Sequence, residues 1–132
     1  MGKSNHLTGL QRTMLINAHP VKMTFNLIGA IIAFYFLWFH QGLNALIYGF
    51  GVALLGTVLA LSNLFGKFDI NKISGTLLGR FHMRYTTGIG FALYLIGHIL
   101  IPYAFWLHSL FVALLGLVSL VIGALIYEKV LK

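Results

Sequence analysis

Residues 86–127 read TTGIGFALYLIGHILIPYAFWLHSLFVALLGLVSLVIGALIY, 42 positions without one Asp, Glu, Lys or Arg. A helix crosses a bilayer core of about 30 Å in roughly 20 apolar residues, so this run predicts two crossings joined by a tight turn. Two placements of that turn compete. The pentapeptide Val-Ala-Leu-Leu-Gly occurs at residues 52–56 and again at 112–116, each time followed by X-Val. That offset of 60 sets Gly42 opposite Pro102 and Met23 opposite Met83, and so puts the turn at Pro102. The likeness of Trp106-Leu107-His108 to Trp38-Phe39-His40 puts it instead at His108-Ser109. The first register is preferred here, which gives a third crossing over residues 85–101 and a fourth over 103–127.

Composition agrees with a membrane chain. The 132 residues are 59% hydrophobic and only 8% charged, with a mean hydropathy of +0.91, whereas soluble domains carry about 25% charge. There is no cysteine, which excludes disulfides, thiolate metal sites and Cys nucleophiles. The first 22 residues hold Lys3, Arg12 and Lys22 and lack the apolar core of a signal peptide.

Upstream, Leu7, Leu10, Met14, Leu15 and Ala18 share one helical face, predicting an amphipathic surface helix within residues 1–19. Pro20 restarts the helix, and a first crossing runs over 20–39. His40-Gln41-Gly42 is a turn, and a second crossing covers 43–65. Along it Ala45, Gly49, Ala53 and Thr57 fall four apart, a stripe of small residues that lets helix backbones approach closely in lipid. Residues 67–84 form the one long polar connection, with Ile70, Ile73, Leu77, Leu78 and Phe81 on one face of a second surface helix. The expected fold is therefore all-α: an integral membrane four-helix bundle of two transmembrane hairpins, an internal repeat, with short amphipathic helices on the inner surface.

All nine Lys and Arg residues fall on one side of that topology. The positive-inside rule makes that side cytoplasmic, in a bacterial inner membrane or its equivalent, with both termini inside.

Chemistry-bearing residues are few. The two acids, Asp69 and Glu128, stand at the cytoplasmic interface, so the embedded carboxylate of a proton-coupled antiporter is missing. Paired carboxylates, a nucleophile with its base and a phosphate loop are absent as well, and the expectation is a protein that is not an enzyme. Nothing points to nucleic acid. His98, His108 and His40 are the candidate cofactor ligands, for haem, a chlorin magnesium or copper. No cofactor is required by the sequence, and the metal assignment is open. Arg80, His82, Arg84 and Lys22 form a basic band suited to anionic lipid headgroups, while Asn26 and Asn44 read as interhelical hydrogen-bonding groups.

Three functions follow as expectations. The first is a non-catalytic subunit or scaffold of a larger membrane complex, partnered by other transmembrane subunits or by itself. The second is a small dimeric transporter or flippase for a lipid or anionic amphiphile. The third is a haem- or pigment-binding subunit.

Overall fold

The computed structural model describes residues 7–62, 64 and 69–130, with side chains through residue 126. The expected helix end at Phe65, residues 1–6 of the N-terminal segment and the basic residues Lys3, Lys67 and Lys132 lie outside the described residues, as does the side chain of Lys129. Every element is helical: α1 (Gly9–Asn17), α2 (Pro20–Trp38), α3 (Gly42–Leu61), α4 (Ile70–Ser74), α5 (Leu77–Met83), α6 (Gly88–Trp106) and α7 (Leu110–Val130). Helices α2, α3 and α6 are long and apolar enough to cross a membrane, and α7 is apolar over Leu110–Ile126.

Helix starts follow the local sequence. Thr8 and Gln11 close a capping box on α1, with Gln11 Oε1 accepting from the Thr8 amide at 2.9 Å. Asp69 Oδ1 caps α4 by accepting from the amides of Asn71 and Lys72, and Thr76 and Thr87 cap α5 and α6. Pro20 opens α2, where its missing N–H costs nothing.

Helix α2 packs along α3, and α6 along α7. Small residues make both contacts close. A Cβ on Gly29 would come to 2.5 Å of the Gly49 carbonyl oxygen, and one on Gly97 to 2.9 Å of the Gly116 carbonyl oxygen. Gly90 and Gly123 likewise face each other's carbonyls at 3.2 Å. Between Ala45 and Phe50 helix α3 widens into a π-helical turn, the geometry that accommodates one residue beyond the α-helical register.

The turn of the second hairpin is not at Pro102. Helix α6 runs through Pro102 to Trp106, so the crossings drawn at 85–101 and 103–127 are displaced. A proline inside a helix removes one hydrogen bond, and transmembrane helices tolerate this because packing against neighbours compensates. The chain reverses at His108, the alternative placement. The two turns are built alike: His40 and His108 have φ of 56° and 51°, and the amides of Gln41 and Ser109 donate back to the carbonyls of Phe36 and Ala104 at 2.8 and 2.9 Å. The offset of 60 fails with the Pro102 turn, since residues 52–56 lie in the second half of α3 while 112–116 open α7.

The polar connection is also different from expectation. In place of one surface helix, α4 and α5 meet at Thr76, and both pack against α1. Among the described residues the best-buried large apolar side chain is here, with Leu15 fully buried beside Ala18 and Ile73. Met14 and Tyr85 join Ala124 of α7 in a second cluster, and the Tyr85 hydroxyl donates to the Leu120 carbonyl at 3.1 Å. These elements form a cap across one end of the hairpins. Away from the cap, large apolar side chains such as Ile99 and Phe111 are about two-thirds exposed, at 67% and 70%, which is consistent with association of these helices with a membrane.

Candidate functional site

Helices α2 and α6 are the facing walls of the two hairpins. At the turn end they are joined by aromatic rings: Phe34 stacks on Phe105 at 4.2 Å, Trp38 lies 4.1 Å from the His108 ring, and His108 Nε2 is 2.8 Å from the Trp38 carbonyl oxygen. Toward the cap two cavities open beside this contact. One, of about 610 Å³, lies among α2, α6 and α7, with Asn17, His82 and Arg84 at its cap end. The other, of about 660 Å³, lies among α2, α3 and α6 and includes Lys22. Asn26, Tyr94 and His98 line both cavities. Most of the remaining lining is Leu, Ile, Phe, Ala and Gly.

The polar groups are placed by helical periodicity. Tyr94 and His98 are one turn apart on α6, so their rings meet at 4.0 Å, and His98 Nδ1 is 2.9 Å from the Tyr94 carbonyl oxygen. Lys22 and Asn26 are likewise one turn apart on α2, facing the second cavity. At the cap, burial above all, and then the neighbouring Tyr94, hold the Tyr85 phenol above its ordinary range against the opposing pull of Arg84. The phenol therefore stays protonated and donates to the Leu120 carbonyl.

The three histidines proposed for a cofactor do not converge. His40 and His108 meet at the turn end with ring centroids 5.2 Å apart, while His98 sits in the cavities beside Tyr94. Among the described residues no group of three or more His, Asp or Glu side chains is arranged to hold a metal ion. His98 alone offers one axial position, and Asn26 and Tyr94 are the other polar groups that share its two cavities.

The basic band divides. His82 and Arg84 line the first cavity, Arg80 is exposed on α5 and lines neither, and Lys22 is drawn between α2 and α3, where Nζ donates to the Ala53 carbonyl at 2.6 Å. The small stripe faces α2: Ala45 and Gly49 are buried, Ala53 lies against Gly29, and Thr57 Oγ1 donates to the Ala53 carbonyl. Tyr94 and Asn17 were not singled out from the sequence. The available signal for Tyr94 was its place one turn before His98 in an otherwise apolar run.

Comparison with known protein families, with curated proteins and with solved structures finds no match.

Proposed function

We propose that the chain is a four-crossing membrane protein whose two hairpins bind an amphiphile with an anionic head and pass it across the bilayer. The observation that carries this reading is the pair of cavities beside α2 and α6, which meet at Asn26, Tyr94 and His98. Their walls suit an apolar chain, and Arg84 and His82 at the cap end suit a headgroup. Each volume is within the range of sites that enclose a small ligand.

The hairpins also read as a repeat, in a register other than 60. Trp38 and Trp106, His40 and His108, and Gly29 and Gly97 are each 68 apart, whereas Gly49 and Gly116, and Gly56 and Gly123, are 67 apart. The extra residue of the first hairpin falls in the π-helical turn. In this register Asn26 corresponds to Tyr94, so equivalent positions of the two hairpins both line the two cavities. The excess of basic residues toward the cap makes that end cytoplasmic, with both ends of the chain inside.

The reading as a subunit or scaffold draws on the small-residue stripes and on the lack of an embedded acid, and the glycines of α2 with α3 and of α6 with α7 pack within each hairpin. The amphiphile reading uses the same packing and adds a use for the cavities. It is tested by reconstituting the protein in vesicles and following fluorescent anionic and zwitterionic lipids between leaflets. Arg84→Gln slows anionic flux about fivefold, the equivalent of roughly 1 kcal/mol per basic group at a headgroup, and Arg80→Gln leaves it unchanged. Equal flux for wild type and Arg84→Gln, or none above empty vesicles, removes the proposal.

A further inference from the structure

Lys22 stands in the first turn of α2, and its side chain runs the wrong way for a lysine at a membrane surface. Such lysines snorkel, carrying the ammonium outward to headgroups and water. Here Gly56 packs on Phe25, and Gly29 lies against Gly49 and the Ala53 amide, so the Ala53 carbonyl is at the height of residues 25–29. Nζ reaches that carbonyl at 2.6 Å, roughly one helical turn deeper than its own Cα. The residue is only 8% exposed.

A charge carried into the bundle calls for a counter-charge, because a buried ion without one is costly. The chain has two acids. Asp69 caps α4, and the side chain of Glu128, in the last turn of α7, lies outside the described residues. The carbonyl of Ala53 is a neutral partner, shared with Thr57 Oγ1, and an ammonium has three donors. The second cavity puts Asn26 beside Lys22 and continues past Gly29 and Ala33 to Phe34 and Pro102.

We infer that Lys22, with Asn26, is the headgroup site of the second cavity, and that its ligand is a single-chain amphiphile bearing a phosphate or carboxylate. The head accepts hydrogen bonds from the Lys22 ammonium and the Asn26 amide, and the chain lies toward Phe34 and Pro102. One chain is assigned because about 660 Å³ is the size of an ordinary small-ligand site. This inference rests on the amphiphile reading above, and it names the residue that selects charge within the membrane.

The test uses the full chain in phosphatidylcholine nanodiscs, with dodecyl phosphate, dodecanol and inorganic phosphate as probes and empty nanodiscs as the blank. Dodecyl phosphate binds saturably, and dodecanol and inorganic phosphate each bind at least about tenfold more weakly, since a charge-assisted hydrogen bond and an apolar chain are both needed. Lys22→Met lowers dodecyl phosphate affinity about tenfold, and Lys22→Arg retains it within about threefold. Unchanged binding by Lys22→Met overturns the inference. If that variant fails to fold, the wild-type comparison decides, and equal affinity for dodecanol overturns it. Inorganic phosphate binding as tightly as dodecyl phosphate makes this a free-anion site and overturns the ligand class. Lys22-dependent binding without lipid flux sinks the transport reading alone, and flux indifferent to Lys22→Met sinks this site alone.

Discussion

His40 and His108 hold left-handed backbone at φ of 56° and 51°, a conformation that costs a non-glycine residue about 1 kcal/mol. The two pay this penalty in different settings. His108 also links the hairpins through the Trp38 carbonyl, whereas the contacts of the His40 ring are to Trp106 and His108. His40→Gly is therefore expected to change stability by less than about 1 kcal/mol in SDS-titrated unfolding, and His108→Gly to destabilise by about that much, as relief of the backbone is outweighed by the lost bond and ring contact. Gly29 and Gly51 offer a second contrast. A side chain at Gly29 meets the Gly49 carbonyl and the Ala53 backbone, while a Cβ at Gly51 has open space. Gly29→Leu should cost at least about 1–3 kcal/mol by overpacking, and Gly51→Ala should be neutral or stabilise by about 0.5–1 kcal/mol.

Among the elements, α3 differs from α7 by its π-helical turn at Ala45–Phe50. Removing one residue from a π-helical turn restores regular α-helix and leaves both flanks in place. Deletion of Leu46, which is 63% exposed, is thus expected to leave a folded protein with the Gly29–Gly49 contact kept or replaced by its neighbour. Deletion of Leu114 rotates Gly116 and Gly123 out of the α6 interface by about 100°, and the variant should aggregate or lose its thermal transition in detergent. Pro102 belongs to this scale too. It is inside α6, so Pro102→Ala should leave the position of the turn unchanged. Because the chain has no cysteine, single cysteines can locate that turn: Ser109→Cys should react with a membrane-impermeant maleimide, and Leu100→Cys should not.

For the whole molecule, a well-packed cap of α1, α4 and α5 closes one end of two tightly packed hairpins whose mutual contact is aromatic at the far end and open between. Stability is thus concentrated within each hairpin and in the cap, and the space between hairpins is where packing is least complete. Cysteines at Thr76 in the cap and at Gln41 in the first turn should be labelled from opposite faces of a sealed vesicle. Labelling of both from one face would contradict the orientation drawn from the basic residues.

The sequence by itself pointed to the all-helical class, because an unbroken run of forty-two uncharged residues is the length of two apolar helices, and three of the helices are long and apolar enough to cross a membrane. It also located the first turn, the restart at Pro20 and the small stripe of α3, since each depends on residues close in the chain. What only the tertiary structure decided was longer in range. Pro102 looked like a turn and lies within a helix, because contacts with a neighbouring helix outweigh one missing hydrogen bond. Lys22 looked like a headgroup anchor and points into the bundle, because the small residues of α2 and α3 bring the Ala53 carbonyl within its reach. The meeting of Asn26 with Tyr94 and His98 joins residues some 70 positions apart. Local patterning cannot register such a meeting, for it arises from how two helical hairpins lie against each other.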